Sequence, residues 1–262
     1  MRIAAIQMDM AFGRPTENFK KAEALVRAAA AGNPDAVLLP ETWNVGFYPK
    51  EDLPSLADAD AGKTTALFSA LAREFGVNIV AGSVAAAFED GVRNTSLSFD
   101  RTGACVSRYD KTHLFTPMCE HDFFVKGEGI SSYAFDGFAC GTEICYDIRF
   151  PELTRTLAVR GLDFLFVVSQ WPDIRLPQLH ALLKARAIEN QMFVACCNSC
   201  GKAPGTRFGG GSVVFDPLGN ELAMAGSEEE TVFANCDTSI LQSIRESINV
   251  FRDRRPEIYE IN

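Results

Sequence analysis

The chain has 262 residues, 47% apolar and 23% charged, with 20 glycines and 12 prolines. That mixture supports a sizeable core and lacks the composition of disordered chains. The formal charge of −9 argues against nucleic acid and anionic membranes as main partners, and no run of about 18 uncharged apolar residues offers a membrane span.

The opening MRIAAIQMDM has too short an apolar stretch for a secretion signal, because Gln7 and Asp9 interrupt it. The expected compartment is therefore the cytosol, and the eight cysteines are expected as free thiols, mostly buried. Alternation over Arg2–Met8 predicts a first strand. Pro15 and Thr16 open a helix with Phe19, Ala22, Val26 and Ala29 on one face, and Gly32-Asn33-Pro34 ends it. Ala36–Leu39 predicts a short strand with Pro40-Glu41 at its exit. A second helix is expected over Ala61–Phe75, with Leu67, Leu71 and Phe75 inward and Gly76 as the stop. Val77–Gly82 reads as a strand, and Asn94–Phe99 with Ala104–Tyr109 as a hairpin around Asp100-Arg101-Thr102-Gly103. Lys111 follows it.

Phe138–Ile144 predicts a strand that delivers Cys145. Pro151 suits the first turn of a helix reaching about Arg160. Leu162–Ser169 is a strand, Leu176–Asn190 a helix, and Phe193–Cys197, Gly211–Phe215 and Thr231–Asn235 are further strands. Cys196 and Cys197 read as strand core and strand edge. The last helix is expected over about Thr238–Phe251, with Ile240, Leu241, Ile244 and Ile248 on one side. The polar tail from Arg252 to Asn262 is expected to be extended. Alternating strands and helices without a linker or repeat point to one α/β domain, residues 1–262, with mixed sheets.

Three reactive side chains follow strands directly: Glu41, Lys111 and Cys145. Sites in α/β sheets gather where strands end. A thiol there can attack a carbonyl, a carboxylate can take its proton, and an ammonium can hold the oxyanion and lower the thiol pKa. Each has a plainer reading: a buried thiol, a capping glutamate, a loop lysine.

Longer segments weigh against the plainer readings. VLLPE (37–41), RYDKTHLF (108–115) and EICYDIRFPEL (143–153) resemble, in order and spacing, the three signature motifs of the nitrilase superfamily of carbon–nitrogen hydrolases. IAAIQMDMAFGRPTENFKKAEALV, ALLKARAIENQMFVACCN and GGGSVVFDPLGN extend the resemblance over nearly the whole chain. It implies a four-layer α-β-β-α sandwich that pairs into a homodimer or higher homo-oligomer, with the tail from 252 crossing to another subunit. It also implies Glu41 as general base, Lys111 as triad lysine, Cys145 as nucleophile and the Tyr146 backbone N–H as oxyanion donor. Glu120, in PMCEH, matches the second glutamate that positions substrate or lysine. Arg149 and Glu152 are expected to brace the nucleophile loop and the dimer contact, and His113 to order the lysine loop.

Within the superfamily CYDIRFPE, Trp171-Pro172, Arg175 and KARAIENQ are similar to the omega-amidase branch, which hydrolyses the terminal amide of 2-oxo acids such as 2-oxoglutaramate and 2-oxosuccinamate. Such a substrate needs a cationic pocket for its carboxylate. Arg175 is the candidate, and Trp171, Phe47, Tyr48 and Phe115 are candidate walls. No cofactor and no metal is implied; Cys196, Cys197 and Cys200 hold a C-x-x-C spacing without the second pair a closed zinc site needs. The alternatives are a related hydrolase acting on an N-carbamoyl amine, aliphatic amide or nitrile, and a catalytically silent scaffold. Asp147, the acidic residue after Tyr146, favours amidase-like members.

Overall fold

The structure, a computed structural model, describes residues 1–259. In chain order the elements are β1 (Arg2–Gln7), α1 (Pro15–Ala30), β2 (Ala36–Leu38), α2 (Leu53–Leu56), β3 (Asp58–Ala59), α3 (Gly62–Phe75), β4 (Asn78–Phe88), β5 (Gly91–Phe99) and β6 (Cys105–Asp110). The second half holds β7 (Tyr133–Phe135), β8 (Phe138–Ile144), α4 (Pro151–Ala158), β9 (Phe164–Ser169), α5 (Leu176–Asn190), β10 (Phe193–Asn198), β11 (Cys200–Ala203), β12 (Thr206–Gly209), β13 (Val213–Phe215), β14 (Glu221–Met224), β15 (Glu230–Asn235) and α6 (Ile240–Ser247).

Two mixed sheets carry the architecture. One has the order β15-β1-β2-β4-β5-β6, with β3 added to β4; the other runs β14-β13-β10-β9-β8-β7. The central strands are apolar on both faces, as strands covered on both sides must be. Alternation then sorts the residues into layers. Ala4 and Ile6 of β1 join Ala22, Val26 and Ala29 of α1 and Phe68 and Leu71 of α3 in an outer core. Their neighbours Ile3 and Ala5 face Phe164, Phe166 and Phe193 across the gap between the sheets. On the far side, Leu165 and Val167 of β9 pack with Leu157 of α4 and Leu179, Leu183 and Ala187 of α5. The result is the expected α-β-β-α sandwich.

Several local expectations are corrected. Helix α3 turns Thr64, Phe68, Leu71 and Ala72 inward, while Phe75, at its last position, is exposed beneath the Arg27 guanidinium. Helix α6 ends at Ser247, leaving Ile248 exposed. Cys197 is not at an edge: β10 lies between β9 and β13, so both Cys196 and Cys197 are fully buried, one on each face. Residues 252–259 hold a short 3₁₀ turn at Pro256–Ile258 rather than an extended tail. Residues 260–262 of that tail lie outside the described residues.

Gly82 looked like the end of a strand, yet β4 continues through it to Phe88 and turns at Glu89-Asp90 into β5. The run Ser83–Ala87 is mostly small residues and hides this longer hairpin from a propensity reading. Gly82 sits at a register shift between Val80 and Ser83, with φ +65° and the space for its Cβ already taken by Pro40 O at 2.1 Å. Only glycine permits this crossing of backbones. Ser83 N–H then donates to Pro40 O at 3.0 Å, and Ser83 Oγ accepts the Thr42 N–H at 3.0 Å. The chain leaving β2 is thereby pinned on both sides of Glu41.

A pair of variants isolates that close approach. Gly76 also has positive φ but open space around its Cβ position. Gly76→Ala should cost about 1 kcal/mol through φ alone. Gly82→Ala should cost about 3 kcal/mol or more, since the crossing of backbones must open to admit the methyl group. Urea unfolding of both variants checks this; equal stability losses would contradict it.

Candidate active site

Glu41, Lys111, Glu120 and Cys145 meet at one end of a cavity of about 420 Å³ that all four line. Lys111 is held by its backbone first: its N–H donates to Asn94 O at 2.9 Å, and its carbonyl accepts the Gly127 N–H at 2.8 Å. Its ammonium, 2% exposed, lies 2.8 Å from Glu41 Oε1 and 2.9 Å from both Glu120 oxygens. Asn94 Nδ2 also donates to Glu41 Oε1, at 2.9 Å, and the Gln170 backbone N–H donates to Glu41 Oε2 at 3.0 Å. The Phe115 N–H fixes Glu120 Oε2 at 2.5 Å.

Burial governs the proton affinities. It alone would push the Lys111 ammonium down, but the Glu120 and Glu41 carboxylates outweigh it and hold the pKa well above the ordinary lysine value. Burial raises Glu41 above the ordinary carboxylate value; Lys111 pulls it back only partly, and Glu120 adds to the rise. The Cys145 thiol is driven well above a normal cysteine, first by burial and then by Glu41. Lys111 does act downward on it, so the expectation of a lysine-lowered thiol has the right sign for that one interaction and the wrong net result. The resting sulfur is a protonated thiol beside a carboxylate of raised basicity.

Cys145 leaves β8 in the left-handed region, with φ +51°, and starts a 3₁₀ turn through Arg149. At the first turn of a helix no intrahelical carbonyl is available, which leaves the Tyr146 N–H available beside the sulfur. Asp147 stabilises this elbow. Its Oδ2 accepts the Ile144 N–H at 3.0 Å and the Tyr109 hydroxyl at 2.7 Å; its Oδ1 accepts the His113 N–H at 3.0 Å and faces His113 Nδ1 at 2.8 Å. The His113 ring stacks on Phe150 with centroids 3.7 Å apart. The Lys111 loop and the Cys145 turn are therefore one cross-linked unit, with His113 in its expected ordering place.

The cavity walls include Phe47, Tyr48, Phe115, Tyr146, Trp171 and Phe208, so every aromatic wall candidate is present. Phe47 has φ +97° and packs on Tyr48 and Phe208 at 4.6 and 5.4 Å. Arg175 lies at the mouth and is exposed. Arg149, expected as a brace, instead lines the cavity with its guanidinium over the Trp171 ring at 4.7 Å; Glu152 is exposed in the first turn of α4. His180 contacts Gly211 O at 2.8 Å and is absent from the lining, and His121 is exposed beside Asp122. Asn94, Gln170, Arg207 and Phe208 were missed. Gln170 follows the apolar strand FLFVVS, so the strand-exit rule that found Glu41 would have found it. Among the described residues no cluster of three or more His, Cys, Asp or Glu could hold a metal, and no helix is long and apolar enough to cross a membrane.

Known proteins match over nearly the whole length. The carbon-nitrogen hydrolase family profile aligns with residues 2–246. A 2-oxoglutaramate amidase from Bacillus subtilis (strain 168) is 41% identical over 257 residues, 98% of each chain. An omega-amidase from Homo sapiens is 30% identical, over 99% of this chain and 97% of its own. Among solved structures, a CN-hydrolase superfamily protein from Xanthomonas campestris with an arsenic adduct in its active site superposes with TM-score 0.91 at 30% identity, covering 100% of this chain and 99% of its own. A mutant amidase from Nesterenkonia sp. AN1, carrying acrylamide added to its active-site cysteine, superposes at 0.83 and 27% identity over 98% of each chain.

Glu143 gives the elbow a testable electrostatic signature. It is fully buried in β8, accepts the Thr154 hydroxyl at 2.7 Å, and has no partner for Oε2. Burial pushes its carboxyl up to about 8. The folded pKa is raised above the unfolded 4.5, so the folded state holds the proton longer; the associated stability is present below 4.5 and lost as pH climbs through about 8. Glu143→Gln keeps the acceptor and removes the titration. Relative to the parent, its unfolding free energy should gain about 2 kcal/mol between pH 6 and 8. Urea titrations at those two pH values measure this; a constant difference would refute the buried-acid assignment.

Proposed function

This chain belongs to the carbon-nitrogen hydrolase family, and from that membership we propose that it is a cysteine-dependent amidase that releases ammonia from the omega-amide of a 2-oxo dicarboxylic acid. The observation that carries the reading is one cavity with a thiol, a raised carboxylate and a doubly braced ammonium at its base and arginines along its wall. The base of the cavity suits acyl transfer. The wall suits a substrate bearing a carboxylate, such as 2-oxoglutaramate or 2-oxosuccinamate.

In the proposed cycle Glu41 takes the Cys145 proton as the sulfur bonds to the amide carbon. Concerted transfer is required, because burial and Glu41 keep free thiolate scarce. Lys111 and the Tyr146 N–H hold the oxyanion. Glu41 passes the proton to the nitrogen, the C–N bond breaks, and ammonia leaves a thioester. Water then loses its proton to Glu41 and attacks that thioester, and the sulfur departs with the proton Glu41 returns. Glu120 positions Lys111, and its charge adds to the burial that keeps Glu41 basic.

We also assign the protein to the cytosol as a homodimer. Exposed Val159, Ile188 and Ile248 support the dimer. They come from segments tied together, Arg155 Nη2 donating to Glu189 O at 3.0 Å and Gln191 Nε2 to Ile248 O at 2.8 Å.

Ammonia release from 2-oxoglutaramate, compared with glutamine, asparagine, N-carbamoyl amines, a simple aliphatic amide and a nitrile, tests the assignment; no preference for the 2-oxo acid amide would overturn it. Cys145→Ala should lose at least about 10³-fold in kcat. The acid limb of kcat/KM should lie above the ordinary glutamate value of 4.5, because protonated Glu41 cannot act as base. Glu120→Gln should move that limb to lower pH, since a neighbouring negative charge is gone; a limb that stays in place would remove Glu120 from the account.

A further inference from the structure

Three arginines line the cavity, but their settings differ. Arg149 is half-buried and lies over Trp171. Arg175 and Arg207 are exposed at the mouth. They arrive on two segments that are stitched together: Gly209 N–H donates to Trp171 O at 3.2 Å, and Pro172 bridges Phe208. A Cβ on Gly209 would lie 2.8 Å from Asp173 Cα, so glycine permits the close approach.

Lys202 stands directly opposite Arg207 in the β11–β12 pair, and directly opposite residues share one face of a ribbon. Like charges so placed weaken the pairing, and this ribbon is a separate two-stranded sheet. Among the described residues, Arg175, Lys202 and Arg207 form no ion pair, although most other arginines do. Asp173 is the one acidic side chain on this part of the lining, and it accepts the Ile174 N–H. On this part of the lining Arg175 and Arg207 less Asp173 leave a local excess of +1, to which Lys202 on the ribbon beside it adds, on a chain whose formal charge is −9. A carboxylate approaching such a chain is repelled except where a local excess reverses the field, over a screening length of about 8–10 Å.

We propose that Arg175, Arg207 and Lys202 form an anion-capturing rim that draws carboxylate-bearing amides into the cavity and selects them over neutral ones. This rests on the substrate class proposed above. The rim acts on capture rather than on the bond-breaking step, so its removal raises KM more than it lowers kcat, and its contribution fades with salt.

The test measures kcat/KM for 2-oxoglutaramate at about 20 mM and about 300 mM salt in the parent, in Lys202→Gln/Arg207→Gln, and in Lys20→Gln, a charge removed from α1 outside the cavity. The parent should fall by about 10-fold across that range; the double variant should start about 10-fold lower and show little further fall. Lys20→Gln should follow the parent. Calorimetric binding of 2-oxoglutarate to Cys145→Ala, with and without the rim substitutions, gives a readout independent of turnover and should weaken by a similar factor. If the parent hydrolyses no 2-oxo acid amide, the substrate reading fails and the calorimetry still decides the rim. Unchanged affinity and an unchanged salt slope in the double variant overturn the proposal.

Discussion

One buried ammonium organises this molecule. Lys111 is almost without solvent contact and is held charged by two carboxylates within 2.9 Å. An isolated charge in such a place would be prohibitively costly. Two carboxylates over-compensate it and leave a net negative trio. Burial raises the proton affinity of Glu41 and of the Cys145 thiol; Glu120 adds to the rise at Glu41, and Glu41 adds to the rise at the thiol. In the proposed cycle this buried setting makes Glu41 the stronger base and keeps the Cys145 thiol in reserve until a substrate carbonyl accepts the electron pair.

No single element could build the site. Glu41 follows β2, Lys111 follows β6, Glu120 sits in the loop beyond, and Cys145 follows β8 in the other sheet. They converge because the sheets pack through Ile3, Ala5, Leu38 and Val80 against Phe164, Phe166 and Phe193. Hydrophobic burial sets the distance between sheets, and backbone hydrogen bonds such as Gln170 N–H to Glu41 set the final placement.

Much of this was legible in the chain. Strand exits marked Glu41, Lys111 and Cys145, and the motif resemblance added Glu120; the structure brings all four together. What escaped shares a cause. Gly82 reads as a stop, and nothing local announces that Pro40 O crosses it at 2.1 Å. Asn94, inside a strand, gave no hint that its amide would reach Glu41. Phe75 has the right spacing for the core but falls where α3 is leaving it. The net pKa of Cys145 depends on how deeply the sulfur is buried, which no motif encodes. Each of these is a tertiary relation between distant segments.

Asp147 ties the Lys111 loop to the Cys145 turn through four contacts on a single carboxylate. A change in either segment is transmitted at once to the other, so the chemical half of the cavity is mechanically closed to gradual alteration. Its other walls include the Phe47 loop and the β11–β12 ribbon, where Phe47 packs on Phe208. Divergence toward other amides therefore has a natural place to occur: the ribbon and the loop can be rewritten while the reacting atoms keep their positions.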